Sequence, residues 1–452
     1  MLIIAANRLP VEQVDGTWQV APGGLVTALQ PVLDEYGGRW VGWTGEVGGA
    51  DRRLHIGGLD LSPVALDRVE IESYYEGFSN STLWPLYHDK VNTPQFHRHW
   101  WRPYVDVNRR FAERLADEAP PGAAVWVHDY HLSLVPAALR ELRDDLRVGF
   151  FLHIPFPPME LFAQLPWRRD ILLGMLGADA VAFQTPYGAR NFRAVARRYV
   201  PARAGRDHVE IDGRRVRVDA FPIGIDSADF AHTAALPEVE RRVRDLQAEW
   251  GGRRVLLGVD RLDYTKGIAR RLRAFETLLD RRPELADEVV FVQIVVPSRE
   301  NIMGYQDMRR VIEGAAGRIN GKYSRVARMP VHYHYASLPR AELVAHYRAA
   351  DVMVVSPPRD GMNLVAKEYV AAQVDGRGVL LLSEFAGAAL ELTQAVLINP
   401  YDLDGMADAI ERALNMGDKE RRRRMRLLRQ QVLTHDVHRW AHAALEAFSD
   451  LT

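Results

Sequence analysis

The sequence predicts an α/β protein made of two doubly wound, Rossmann-like domains facing a central cleft. Three observations predict it. Short β-branched runs alternate with longer helical patterns, as expected when helices cover both faces of a sheet. Most of these runs are apolar throughout, as strands buried on both faces must be. The alternation also comes in two series, separated by a polar helical stretch over residues 236–250 that Gly251 and Gly252 close.

In the first series the expected strands are residues 2–6, 124–128, 148–153 and 180–184. In the second they are 255–259, 289–296, 331–335, 352–356, 379–383 and 395–398. Helical patterns at 188–198, 269–280 and 340–349 lie between them. The first series ends near FPIGID (221–226) and the second begins at Arg254. The expected domains are therefore 1–230 and 231–434. In such sheets ligands bind beyond the carboxyl ends of the strands.

Composition narrows the function. A chain of 452 residues suits two or three domains, and 47% hydrophobic residues suffice for ordinary cores. The net charge of −1 provides no global field for nucleic acid or an acidic membrane. With no cysteine, disulfides, thiolate catalysis and Cys-ligated zinc are excluded, which fits a cytoplasmic location. No segment approaches the roughly 18–20 apolar residues of a membrane span. MLIIAANRLP lacks the pattern of a signal peptide and reads as a first strand.

Polar residues collect at the strand ends. Asn7 and Arg8 follow the first strand. Gly23 and Gly24 in PGGLVTALQ open either a phosphate-binding turn or a plain loop. WVHDYHL ends a strand with His128, Asp129 and His131, and GFFLHIPFPP ends another with His153 before Pro155, Pro157 and Pro158. One such histidine is an ordinary core residue; two strand ends facing one cleft favour a site. GVDRLDYTKGI delivers Asp260, Arg261, Asp263 and Lys266 straight from a buried strand. The planar Arg fork and compact Lys charge suit a diphosphate. VVPSREN repeats the arrangement with Pro297 and Arg299. SPPRDGMNLVAKEYVAA (356–372) is either an Asp-Gly hairpin or a helix N-terminus offered to an anion. YYEGFSNSTLWPLYH (74–88), with Trp40, Trp43, Trp100 and Trp101, is either aromatic core or a sugar-stacking surface.

Other patterns point away from function. AGRINGKYS has Ala316 and Tyr323 where a P-loop needs Gly and Ser or Thr. No G-x-G-x-x-G follows the first strand, and neither H-E-x-x-H nor G-x-S-x-G occurs. The basic run ERRRRMRLLRQQ (420–431) reads as a solvated helix face. In THDVHRWAHAALEAF, Thr434 is expected to cap a helix whose apolar stripe is Val437, Trp440, Ala444 and Phe448. His438 and His442 stand four apart, but no carboxylate or third His follows at useful spacing, so no metal site is expected.

NRLPV, GGL, YYEGFSN with LWP, HDYHL, GFFLHIPFP, GVDRLDYTKG, AGRINGKY, RDGMNLVAKEYVAAQ, LSEFAGAA and NPYD occur in this order from about Leu2 to about Gln430. In this the chain resembles the retaining glycosyltransferases of the trehalose-6-phosphate synthase type. The wording of AAVW, GFFLHIPFPP and GVDRLDYTKG is most similar to actinobacterial members. The resemblance implies the GT-B arrangement, with a C-terminal helix near 435–452 packing back on the first domain. It implies transfer of glucose from a nucleoside diphosphate glucose to glucose 6-phosphate, forming α,α-trehalose 6-phosphate with retained configuration. No metal or other cofactor is implied, and self-association is left open.

The same resemblance implies roles for individual residues. Arg261 and Lys266 hold the diphosphate, and Gly24 lets the backbone meet it. Asp360 contacts the donor sugar, and the amides near Asn363, Leu364 and Val365 face the phosphates. Glu368 accepts from the ribose hydroxyls. Asp129 and His153 lie beside the sugars. Arg8 and Arg299 bind the acceptor phosphate, with Trp40, Tyr75 and Trp84 forming its pocket. Asp260 stands where some members have Glu, and HYASLPR (334–340) departs from the enterobacterial form near the base, which leaves UDP-glucose and GDP-glucose both open. Two other readings stand beside the synthase. One is a related enzyme that joins a nucleotide-activated cyclitol to an aminocyclitol phosphate or uses glycerol 3-phosphate. The other is an inactive sugar-nucleotide sensor.

Overall fold

A computed structural model describes residues 1–14, 17–20, 24–49, 52–298, 303–325 and 328–449. The chain forms two compact units. Unit 1 is Met1–Ile223 together with the chain from Val437 onward, and unit 2 is Gly224–Asp436. The division thus falls a few residues before the expected boundary near 230. Among the described residues no helix is long and apolar enough to cross a membrane.

The strands of unit 1 are β1 (Leu2–Arg8), β2 (Val11–Val14), β3 (Thr17–Val20), β4 (Gly38–Trp43), β5 (Leu54–Ile56), β6 (Leu59–Pro63), β7 (Ala124–His128), β8 (Arg147–Leu152), β9 (Ala180–Phe183), β10 (Arg203–Ala204), β11 (His208–Ile211) and β12 (Arg214–Ala220). All but the β2–β3 hairpin join one ten-stranded sheet, ordered β10-β11-β12-β9-β8-β7-β1-β4-β6-β5. From β12 to β6 each neighbouring pair is parallel. The chain leaves β1 in one direction, through β4 to β6, then returns to β7 on its other side. The order therefore reverses between β1 and β7, where Ala6 pairs with His128. This is the place at which a doubly wound sheet binds its ligand.

Unit 2 contains β13 (Arg254–Arg261), β14 (Val289–Val296), β15 (Val331–Tyr335), β16 (Val352–Val355), β17 (Val379–Ser383) and β18 (Val396–Ile398). They form an all-parallel six-stranded sheet ordered β15-β14-β13-β16-β17-β18, the Rossmann order, with its reversal between β13 and β16. Apolar runs account for most of these strands: β16 and β17 are buried at every position, and β14 at all but its last.

Several strands escape the sequence reading for an identifiable reason. β4 carries two glycines in GRWVGW, and β12, RRVRVDA, alternates Arg with Val, so neither shows a continuous apolar run. The aromatic stretch is also unexpected. Ile71–Leu83 winds as a wide π-helix and continues into a short α-helix, Trp84–Tyr87. Such wide turns are rare and cluster at functional sites. All of AGRINGKYS but Ser324 lies inside the Met303–Tyr323 helix, where Asn320 bonds both backbone groups of Val331 at 2.9 Å, so it forms no phosphate loop.

Thr434 does not cap the last helix. It ends the preceding one, Asp418–Thr434, and its hydroxyl donates back to the Gln430 carbonyl at 2.8 Å. The basic residues of that helix are largely committed locally: Arg423 and Arg424 to Glu420, Arg421 and Arg429 to backbone carbonyls. Val437, Trp440, Ala444 and Phe448 of the Val437–Ser449 helix are all buried. The Trp440 ring lies 4.9 Å from Trp126 and 5.3 Å from Phe151, and Phe448 fills the space beside Gly149 on β8. A Cβ at Gly149 would overlap the Phe448 ring. Gly149→Ala is therefore expected to destabilise unit 1 by about 1–3 kcal/mol through overpacking. Denaturant unfolding checks this, and an unchanged midpoint would contradict the packing.

Candidate functional site

In unit 2, β13 ends in Asp260 and Arg261, and a 3₁₀ turn, Tyr264–Lys266, leads into the Ile268–Arg281 helix. The four charges expected in this loop divide by burial. Asp263 is buried and accepts from both the Thr265 amide and hydroxyl at 2.9 Å, which shapes the turn. Asp260 is buried against Arg271 at 2.7 Å. Arg261 is exposed and has no ion-pair partner among the described residues. Lys266 donates to Asp360 Oδ2 at 2.6 Å.

Arg271 lies beneath this turn with no solvent exposure. It donates to Ser356 Oγ at 3.0 Å, the Lys266 carbonyl at 3.1 Å and Gln293 Oε1 at 3.4 Å. Burial pushes the Asp260 carboxyl up, and Arg271, then Lys266, oppose that.

Across the reversal point, β16 runs into SPPRDGMN. Asp360 and Asn363 meet there: Asn363 Nδ2 donates to Asp360 Oδ2 at 3.1 Å, while Asn363 Oδ1 accepts from the Ala366 amide at 3.1 Å. Asn363 is thus the N-cap of the Leu364–Ala372 helix, with φ at +91°. The segment is a helix entrance rather than a hairpin. Among the described residues the amides of Leu364 and Val365 have no backbone or side-chain acceptor. The LSEFAGAA segment holds the loop from behind. The Asp360 amide donates to the Phe385 carbonyl at 3.2 Å, and the Ala388 amide to the Met362 carbonyl at 2.9 Å. Lys367 is buried and ion-paired with Glu391 at 2.6 Å, so it supports the loop from inside. Glu368 receives the Tyr347 hydroxyl at 2.8 Å. Arg261, Lys266, Asp360, Asn363, Leu364, Val365 and Glu368 therefore gather around one reversal point.

In unit 1, Arg8 leaves β1 and lays its guanidinium 4.8 Å from the Trp43 ring centre. Gly45, at φ +98°, makes room, since a Cβ there would overlap the Arg8 guanidinium. Trp43 meets Tyr75 edge-on at 5.5 Å, and Tyr75 stacks on His131 at 5.9 Å. His131 packs on Tyr130, and Tyr130 on Trp84 at 5.7 Å. Most of the aromatic stretch is core, with Tyr74, Phe78 and Tyr87 wholly buried, but Tyr75 keeps a partly open ring.

Trp40 does not belong with this row. It lies inside β4, paired with Ile4 and Leu61 and only 1% exposed, whereas the carboxyl end of that strand carries Trp43. The repeated Trp at both positions of GRWVGW concealed which one reaches the end. Gly24 begins the Gly24–Tyr36 helix. Gly23 and Arg299 lie outside the described residues.

Asp129 follows β7 at φ +75°, an unusual backbone for a residue with a side chain. Its carboxylate accepts from the His153 amide at 3.2 Å, and its own amide donates to the Phe151 carbonyl at 2.8 Å. The His153 ring stands in an ordered chain. The Ile223 amide donates to Gln184 Oε1 at 3.0 Å, which turns Gln184 Nε2 toward His153 Nδ1 at 3.2 Å. His153 Nδ1 must then accept, so its proton is on Nε2, which donates to His128 Nδ1 at 3.0 Å. Gln184 was not singled out from sequence, although it stands at the end of an expected strand. Burial pushes the His153 imidazolium down to about 3, and burial, then His153, holds His128 well below its usual range.

The family model for glycosyltransferase family 20 matches residues 2–450. The chain belongs to glycosyltransferase family 20. It is 53% identical to a trehalose-6-phosphate synthase of Mycobacterium avium (strain 104), over 99% of this chain and 95% of that protein. Among solved family 20 structures, a UDP-forming α,α-trehalose-phosphate synthase from Burkholderia xenovorans in complex with glucose-6-phosphate matches with a TM-score of 0.93. It is 37% identical, covering 99% of each chain. An E. coli structure bound with UDP-2-fluoro glucose matches at 36% identity and a TM-score of 0.91, over 100% of this chain and 98% of that one. Membership of family 20 makes the chain a glycosyltransferase with the α/β, GT-B fold class.

Neutral buried histidines give unit 1 a pH-dependent stability. Between the folded value near 3 and the ordinary 6.5, the unfolded chain takes up protons that the folded chain refuses. Stability is thus fully present above about 6.5 and falls as pH decreases. The melting temperature should decline from about pH 6.5 to about pH 5, and less steeply in His128→Phe than in the parent. Equal slopes would contradict the neutral pair.

Proposed function

We propose that the chain transfers glucose from UDP-glucose to glucose 6-phosphate, giving α,α-trehalose 6-phosphate with retained configuration. The observation that carries this is the gathering, at the reversal point of unit 2, of Arg261, Lys266 and the open amides of Leu364 and Val365 around Asp360 and Glu368. Two cations and a helix N-terminus suit a diphosphate, and a carboxylate at each end suits hydroxyls of the sugar and ribose. The relatives named for UDP formation and for a UDP-sugar analogue favour uridine over guanosine.

In this reading Arg261 and Lys266 stabilise the charge that grows on the leaving diphosphate. Lys266 passes from Asp360 toward the phosphate when the donor binds, and Asp360 is released to the glucose hydroxyls. Gly24, at a helix start, meets the same phosphate through its backbone. Arg8, free to leave Trp43 for an anion, takes the acceptor phosphate together with Arg299, and Tyr75 and Trp84 pack on the acceptor sugar. Asp129 and His153 bind sugar hydroxyls; as a neutral ring, His153 contributes hydrogen bonding rather than charge.

The acceptor C1 hydroxyl attacks on the face from which the diphosphate departs. The donor C1–O bond to phosphate breaks, the new C1–O bond forms, and the hydroxyl proton passes to the leaving phosphate oxygen. No covalent carboxylate nucleophile is required, in contrast to retaining glycosidases. The relatives named as trehalose-6-phosphate synthases, one of them solved with glucose-6-phosphate, favour this reading over a sensor and over the cyclitol relatives. The reaction is placed in the cytoplasm, in keeping with a chain that has no cysteine.

UDP release should require both UDP-glucose and glucose 6-phosphate and should survive EDTA. Arg261→Ala is expected to lower kcat by about 100-fold or more. Arg8→Ala is expected to raise the KM for glucose 6-phosphate by about 10–100-fold with a smaller change in donor KM. Steady-state kinetics check both. Release from GDP-glucose alone would reassign the donor, and no release with either donor would move the assignment to the cyclitol-coupling relatives.

A further inference from the structure

We infer that Tyr347 is a positioning residue of the nucleotide site, holding the Glu368 carboxylate in the one orientation that receives the ribose hydroxyls of the donor. The inference rests on the reading of Glu368 as the ribose acceptor given above, and it adds the residue that prepares it.

Tyr347 sits on the Arg340–Ala349 helix and is wholly buried. Its backbone carbonyl accepts from Gln373 Nε2 at 2.5 Å, and its ring meets Tyr369 edge-on at 6.3 Å. The hydroxyl donates to Glu368 Oε2 at 2.8 Å. A buried aromatic position needs no hydroxyl for packing, and burying one is unfavourable unless it is bonded. Here the bond goes to a partly exposed carboxylate on the neighbouring Leu364–Ala372 helix. Glu368 Oε1 has no protein partner among the described residues. With one oxygen pinned from within the core, the plane of the carboxylate is set and the second oxygen is presented in advance of the ligand. That lowers the ordering cost of binding.

The electrostatics agree with the geometry. Burial pushes the Glu368 carboxyl up, and the Tyr347 hydroxyl and the nearby Arg340 oppose it. Asp260 and Arg340 are the other charged groups that act on Tyr347. Removing the hydroxyl should therefore leave a carboxylate that is both freer to rotate and easier to protonate.

The experiment compares Tyr347→Phe, which removes one oxygen and keeps the ring, with Glu368→Gln and the parent. The KM for UDP-glucose should rise about tenfold in Tyr347→Phe while the KM for glucose 6-phosphate stays put. The preference for UDP-glucose over its 2′-deoxyribose analogue should shrink, and the donor KM should climb more steeply as pH falls than in the parent. Melting curves confirm that the variant is folded. Should Glu368→Gln raise the donor KM while Tyr347→Phe retains the parent's donor KM, deoxyribose discrimination and pH profile, the inference is overturned and the ribose reading stands. Should Glu368→Gln itself leave the donor KM unchanged, the ribose reading falls and the inference with it.

Discussion

A guanidinium with no access to water underlies unit 2 of this enzyme. Arg271 touches the end of β13 through Asp260, the end of β16 through Ser356, and the turn between them through the Lys266 carbonyl. A buried charge of this kind is tolerable only when it is paired and its donors are occupied. The three segments are consequently held in register by one side chain that cannot let go of any of them. The Lys266 ammonium and Asp360 meet directly above this anchored turn.

The two reversal points share a second property. Asp129 and Asn363 each follow a buried strand and each adopt positive φ despite carrying a side chain. Asp129 is held by the Phe151 carbonyl and the His153 amide, and Asn363 by the Ala366 amide and Asp360. Strain is retained where the surrounding structure over-determines it, and such places coincide with function more often than chance allows.

Much of the fold was legible because a parallel sheet buried on both faces writes itself as apolar runs; β7, β14 and β17 match their expected limits. What escaped was what that pattern does not record. β12 alternates because one face stays polar, and β4 spends two of its six positions on glycine. Residue type and position after a strand singled out Arg261 and Lys266, whereas Asp360 was associated with them only through the family resemblance; the folded chain brings Lys266 and Asp360 into contact. Burial was not legible. Nothing in GRWVGW says that Trp40 is core and Trp43 the strand end, and nothing in GVDRLDYTKG says that Asp263 shapes a turn while Arg261 stays open. Gln184 and Tyr347 act through partners that are remote in sequence, so only the folded chain associates them with His153 and Glu368.

The return of the Val437–Ser449 helix to unit 1 has a consequence for biosynthesis. Trp126, Phe151 and the space beside Gly149 are covered by Trp440 and Phe448, which follow the whole of unit 2 in the chain. During translation the first unit cannot be completed when its own strands have emerged. An aromatic surface remains unburied until the second unit has been made, and domain-by-domain maturation from the N-terminus is unavailable to this protein. The nascent chain must either be shielded over that interval or carry its unfinished sheet until the final helix arrives.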